Sequence, residues 1–395
     1  MSENQKHILF IASWYPNRNA SALGNFIQQH AHAAAITNKI SVVFAASEND
    51  IPEEKIEIVE NHNGNLSEYV LYFGKTKSFL PVIKQLKKRD AYKNAIQKGV
   101  DLAIKKNGAP DLIHVHVIYP AAIAVLPLLS KYKIPLLISE HWSGYLPEDG
   151  NYKGLIQKNI SKHLAEKANH ITVVSKRMED AMKQHGLGTS FSLLPNAVDT
   201  NIFHNQHQTT DNKHFQLLHV SMLVDKEKNI SGLLNVMKSI STKDEITLKI
   251  IGDGPERKKH EEHAKQLGIL NKTVFFLGYK SPEEIATEMG KSAALIMFSN
   301  YEGMPVTIIE AQCCGLPVIA TRTGSIPEMV NDSNGILVNP NDEAALEMAI
   351  IKLKENLSNY SSNKISSEAN AKYSLSAVGK MLDDLYQKTL LNNGK

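Results

Sequence analysis

Two α/β domains with parallel sheets are what this 395-residue chain predicts. Three observations carry that expectation. Apolar strand-like runs alternate with helical segments almost from end to end, the pattern of repeated βαβ units. The length suits about two domains, each large enough to bury a full core. Near the middle, the polar stretch 204–214 (His-Asn-Gln-His-Gln-Thr-Thr-Asp-Asn-Lys-His) has no apolar periodicity and reads as an interdomain linker.

The elements follow in order. In residues 1–203 strands are expected at 8–13, 40–45, 69–73, 112–117, 136–140, 171–175 and 191–194. Each is a short run rich in Ile, Val, Leu or Phe, as buried strands are. Helices such as 25–38 and 159–169 lie between them. In residues 215–370 the strands fall at 216–221, 247–251, 274–277, 294–298, 318–320 and 335–338, and the helices at 230–239, 256–267, 283–291, 305–314 and 343–357. The Ser/Asn-rich patch 356–367 reads as a surface loop, and residues 371–395 carry a last helix at about 374–390. Two open parallel sheets joined by a linker are expected to face each other across a central cleft. Ligands of such sheets bind at the carboxyl ends of the strands.

Composition narrows the class. Hydrophobic content of 42% and charged content of 22% are those of an ordinary globular chain. Neither a transmembrane run nor a signal peptide is expected: no stretch of about 18 apolar residues occurs, and 8–13 is too short and weakly flanked. The two cysteines, Cys313 and Cys314, are adjacent and cannot staple a fold, so they read as small core residues in a reducing, cytoplasmic setting. Net charge is +3 but uneven, with 23 basic against 18 acidic residues in 1–200. The excess lies in Lys75 to Lys106, where Phe79, Leu80, Val82, Ile83, Leu86, Tyr92, Ile96, Val100 and Ile104 recur at helical spacing. A basic amphipathic helix fits an anionic membrane surface, and the bland alternative is a solvated Lys face. Nucleic acid is not an expected partner, because no aromatic-studded basic platform is present.

The richest segment is Glu302-Gly303-Met304-Pro305-Val306-Thr307-Ile308-Ile309-Glu310. Pro305 is suited to begin a helix, which leaves Glu302 in the loop ahead and places Glu310 under two turns in. Free amides of a first turn favour an anion. A cradle between two carboxylates suits a sugar on a diphosphate, whereas the plain alternative is a capped helix with two solvated acids. Other strand-end loops point the same way. Lys228 follows a strand and is a point charge fit for a diphosphate. Gly252 and Gly254 frame a tight loop, and Tyr279 follows another strand. In the first half Gly24 opens a helix, and Glu140-His141-Trp142 mixes acid, imidazole and indole in a pattern that suits an acceptor. His114 and His116 share one face of a strand. That spacing can ligate a metal, but no further Cys, His or Asp set supports one, so no metal is expected. The fingerprint G-x-G-x-x-G is absent after the first strand, which argues against a nicotinamide enzyme.

Taken over nearly the whole chain, these motifs resemble the family 4 glycosyltransferases of two-Rossmann, GT-B architecture. The Gly24 loop, His116, Glu140-His141-Trp142, Pro195-Asn196-Ala197-Val198-Asp199, Lys228-Asn229, Gly252-Asp253-Gly254-Pro255 and the E-x7-E segment carry the likeness. The resemblance implies that Glu310 holds the nucleotide ribose, and that Glu302 with the segment Gly303, Met304, Pro305 and Val306 and its free amides holds the transferred sugar. It puts Lys228 on the diphosphate, His116 near the reacting sugar, the Tyr279 backbone at the base, and the last helix back on the N-terminal domain. It implies a retaining transfer from a UDP- or GDP-sugar to a saccharide or lipid-linked hydroxyl acceptor, without cofactor or metal. One departure stands out. The family commonly has Gly-Arg-Leu ahead of the Lys, and here Ser221-Met222-Leu223 replaces it. Two alternatives therefore remain: a sugar-nucleotide epimerase of the same architecture, and a catalytically silent sugar-nucleotide-binding protein.

Overall fold

The computed structural model describes residues 5–206, 215–242 and 244–391. The chain divides into two units. The first takes residues up to Ala197 together with those from Leu375 onward, and the second runs Val198–Ser374. Val198 and Phe203 pack into the core of the second unit, so the division falls ahead of the stretch 204–214. Most of that stretch, 207–214, lies outside the described residues.

Among the described residues the first unit holds an eight-stranded sheet. Its strands are β1 (His7–Ala12), β2 (Lys39–Glu48), β3 (Ile56–Asn63), β4 (Leu66–Gly74), β5 (Leu112–His116), β6 (Leu136–Glu140), β7 (His170–Val173) and β8 (Phe191–Leu193). Their order is β3-β4-β2-β1-β5-β6-β7-β8. All pairs are parallel except β3 with β4. The strand order reverses between β1 and β5, which is the topological switch point where such sheets open a crevice.

The second unit holds β9 (Phe215–Val220), β10 (Ile246–Ile251), β11 (Val274–Gly278), β12 (Ala294–Met297), β13 (Val318–Thr321) and β14 (Gly335–Val338). They form an all-parallel sheet, ordered β11-β10-β9-β12-β13-β14. Its switch point lies between β9 and β12. Alternate side chains enter two separate cores: Ala294, Ile296 and Phe298 on one face, Leu295 and Met297 on the other. Burial on both faces explains why these strands are continuous apolar runs.

Two elements depart from the sequence-based expectation. β3 has a mostly exposed, polar surface and is an edge strand that pairs on one side only, so no apolar alternation announces it. The patch expected to be a loop at 356–367 instead enters a helix, Ser362–Tyr373. Ser361 accepts from the Lys364 amide as its cap, and Ile365, Ala369 and Tyr373, four apart, bury one stripe. The polar Ser and Asn residues between them mask that spacing. The last helix, Leu375–Leu391, belongs to the first unit. There Val378, Leu382, Leu385 and Tyr386 share a core with Ile27 and Ala31 of the helix Asn25–Ala35.

Candidate active site

In the second unit the loops after β9, β10, β11, β12 and β13 leave one edge of a parallel sheet, and the sequence-identified residues lie on them. After β12, Glu302 is almost covered, with 8% of its surface exposed. Its Oε1 accepts from Lys228 Nζ at 2.6 Å and from Ser299 Oγ at 2.8 Å. Lys228 ends the short helix Asp225–Lys228 that follows β9, so an ion pair links the segments after the two strands of the switch point. Neighbouring hydroxyls brace the loop: Thr321 Oγ1 donates to the Ser299 carbonyl (2.6 Å), and Ser325 Oγ to the Gly303 carbonyl (2.7 Å). Ser299 and Ser325 carry no motif that assigns them these roles. Only the fold reveals them.

The helix after Glu302 runs Val306–Cys313, with Pro305 as its N-cap residue at φ −69° and ψ 113°. The helix therefore begins one position later than expected, with Pro305 as its cap and not its first residue, because the Pro305 ψ is extended. Glu310 is partly covered, and burial pushes its carboxyl up to about 7. Its side chain makes no hydrogen bond or ion pair among the described residues. Cys313 and Cys314 are buried and unpaired.

Gly252 has φ +135°, and a Cβ there would stand 1.8 Å from the Ser221 carbonyl oxygen. Only glycine lets the 252–254 loop, with Gly254 at its far end, lie flush on Ser221–Leu223. Leu223 N in turn donates to the Asp253 carbonyl (2.9 Å). Met222 projects from this seam with 63% of its surface exposed, and Tyr279, after β11, is 66% exposed.

In the first unit, Gly24 has φ +67° and heads the helix Asn25–Ala35, where a Cβ would meet the Trp14 carbonyl carbon at 2.6 Å. His116 ends β5 and is wholly buried. Its ring lies 4.0 Å from that of His114 and 5.7 Å from those of His30 and His141, centroid to centroid. His114 is committed elsewhere, to Tyr386 (3.0 Å) and Ser139 (2.7 Å).

Glu140 is also fully buried. Its Oε1 accepts from the amides of His141 (2.8 Å) and Trp142 (2.9 Å), and its Oε2 from the Ile118 amide (3.0 Å) and Tyr145 hydroxyl (3.1 Å). Burial raises its carboxyl, and the four donors oppose the rise. Glu140 thus holds the loop that presents Trp142. Glu140→Gln sets an amide NH2 against one pair of donors, and an unsatisfied buried group costs about 3 kcal/mol. Urea unfolding is expected to register that loss. A change below about 1 kcal/mol would show that the four bonds do not hold the loop.

With this geometry in hand, comparison with known proteins decides the family. The pattern described as "Glycosyltransferase Family 4" matches residues 32–202, and that of "Glycosyl transferases group 1" matches 199–372. The chain belongs to the family 4 glycosyltransferases. It is similar to an uncharacterised glycosyltransferase of Methanocaldococcus jannaschii, 29% identical over 70% of this chain and 74% of the relative. A putative teichuronic acid biosynthesis glycosyltransferase of Bacillus subtilis is 25% identical over 69% of this chain and 64% of its own length. The fold resembles that of Anabaena HepE, solved in complex with UDP, with a TM-score of 0.73 at 18% identity over 97% of this chain and all of that one. The family 4 glycosyltransferase described here is thus a GT-B protein with two parallel-sheet domains. Among its described residues no helix is long and apolar enough to cross a membrane.

Proposed function

We propose that this glycosyltransferase moves a sugar from a nucleotide diphosphate, UDP or GDP, to a hydroxyl acceptor with retention of anomeric configuration. The observation that carries the proposal is the contrast within E-x7-E. Glu302 is already paired with Lys228, while Glu310 is desolvated with no protein partner. A desolvated carboxylate lacking donors is matched by vicinal ribose hydroxyls. Lys228 then stabilises the negative charge that develops on the departing diphosphate. Glu302 and the amides of the Gly303–Val306 segment orient the sugar. No metal takes part in this transfer, since the fixed ammonium and the helix amides face the phosphates. Glu302 is tied to Lys228, and likeness to the family supports attack by the acceptor from the leaving-group face. A saccharide or lipid-linked acceptor in polysaccharide synthesis agrees with the Bacillus subtilis relative's name.

The acceptor's whereabouts bear on the start of the helix Pro81–Asn107. Tyr92, Ile96 and Val100 turn into the core, whereas Phe79, Leu80, Val82, Ile83 and Leu86 are exposed, Phe79 completely. The apolar face expected over 75–106 therefore splits, and its first part stands in solvent beside Lys84, Lys87 and Lys88. An apolar patch ringed by cations fits an anionic lipid surface. Reversing Lys84, Lys87 and Lys88 to Glu is expected to abolish flotation with vesicles of anionic lipid. Flotation that persists would refute docking by this patch.

The test of the transfer itself is a panel of nucleotide sugars screened by thermal stabilisation, then assayed for transfer with the product's anomeric configuration read by NMR. Retention in a UDP- or GDP-sugar product is the expected result. An epimerised free sugar, or binding without turnover, would overturn it in favour of the epimerase or the silent binder.

A further inference from the structure

We propose that His30, His116 and His141 form a site for one transition-metal ion of the zinc class, within the first unit. Sequence spacing drew attention to His114 and His116, but His114 has both ring nitrogens occupied. The fold supplies two other partners from distant segments: His30 from the helix after β1 and His141 from the loop after β6. One ring nitrogen from each of the three lies within 4.8 Å of the others. Ligands on a tetrahedral zinc ion stand about 3.4 Å apart, given Zn–N bonds of about 2.0–2.1 Å. Small ring rotations close that difference.

Two features separate this cluster from packed core histidines. The first is unmet hydrogen bonding. His7 and His219 are buried with both nitrogens bonded, as buried imidazoles normally are. In contrast, neither nitrogen of His116 nor Nδ1 of His30 has a hydrogen-bond partner among the described residues. His141 has Asn196 beside it but makes no bond of ordinary geometry. His260 shares this lack of partners, but among the described residues it belongs to no group of three ligands within reach of one ion.

The second is orientation. His30 Nε2 donates to the Pro195 carbonyl at 2.9 Å, which fixes the tautomer and leaves Nδ1 as the lone-pair nitrogen. An outer hydrogen bond of this kind is usual behind a metal-bound histidine. Phe10 and Phe26 pack at a tilt against the His116 and His141 rings at 4.5 and 4.8 Å.

Three neutral ligands leave a fourth position for a water or hydroxyl oxygen. The three ligands all belong to the first unit, whereas Lys228 and Glu302 belong to the second. Occupancy commits His116. Where His116 faces the reacting sugar, a point that rests on the functional reading above, bound metal slows transfer.

The test uses the untagged full chain, stripped with chelator and titrated with Co2+ or Zn2+. One equivalent of Co2+ is expected to give the visible absorption of a four-coordinate site. Zn2+ at a hundredfold excess over Kd is expected to raise Tm by roughly 5–10 °C. His30→Gln and His141→Gln are each expected to weaken binding roughly 100-fold or more, since loss of even an outer partner costs 10- to 100-fold. The exposed His163→Gln leaves binding unchanged. His30→Gln keeps a donor for the Pro195 carbonyl, so the variant folds. Absence of a bound equivalent, or binding that survives both His30→Gln and His141→Gln, overturns the proposal. Metal held by these histidines that leaves transfer unchanged upholds the site and overturns the placement of His116 at the sugar.

Discussion

Glu310→Gln is expected to stabilise the free protein above neutral pH while weakening its hold on nucleotide. Burial raises the Glu310 carboxyl from 4.5 to about 7. Between those two values the folded chain keeps a proton that the unfolded chain has released. The Glu310 contribution to stability is therefore greatest below pH 4.5, falls as pH rises through the window, and is lost above about 7. The loss amounts to about 3 kcal/mol over that interval. The neutral, isosteric amide does not titrate. The variant should match the parent near pH 4.5 and exceed it by about 3 kcal/mol at pH 8. Urea unfolding across pH measures both. Parallel curves for the two proteins would show that Glu310 is not desolvated. Nucleotide affinity moves the other way, because an amide oxygen accepts ribose hydroxyls more weakly than a carboxylate does. A site that is destabilising when empty and satisfied when filled is what a binding group, rather than a structural one, looks like.

Lys228→Ala is expected to damage both stability and catalysis, by separate routes. The variant leaves the Glu302 carboxylate nearly covered, with Ser299 as its remaining side-chain donor. Breaking one half of such a pair costs about 3 kcal/mol. Adding Glu302→Gln to it should restore much of that stability, since no buried charge is then left unpaired. Transfer should not recover, because the diphosphate still leaves without its ammonium. Loss of one such electrostatic group lowers kcat by roughly 100- to 1000-fold. Unfolding and steady-state rates on the single and double variants separate the two routes. A double variant that regains activity would show that Lys228 serves only to hold Glu302.

How much was legible in advance depended on how far apart the cooperating residues lie. The E-x7-E segment could be read because its loop, cap and helix are contiguous, so spacing alone places Glu302 and Glu310. Lys228 could be read as a strand-end charge, but not as the partner of Glu302, since that contact depends on β9 and β12 lying side by side. β3 escaped notice because an edge strand needs no apolar face. Ser362–Tyr373 did so because its buried residues are spaced by polar ones. The histidine cluster shows the limit most plainly. The nearby His114 was the visible companion of His116, whereas the ones the fold supplies come from positions 30 and 141. The Arg position filled by Met222 was visible in the sequence, and the structure places that residue on an exposed seam between two strand-end loops.

The central claim, that Glu310 receives the nucleotide's ribose, is tested most directly by proton linkage. UDP is titrated calorimetrically into wild type and Glu310→Gln at pH 7, in two buffers of different ionisation enthalpy. Hydroxyls that donate to Glu310 favour its ionised form, so binding lowers its raised pKa. The wild type should release roughly half a proton more than the variant, and bind UDP more tightly. Equal proton release and equal affinity in the two proteins would contradict the assignment.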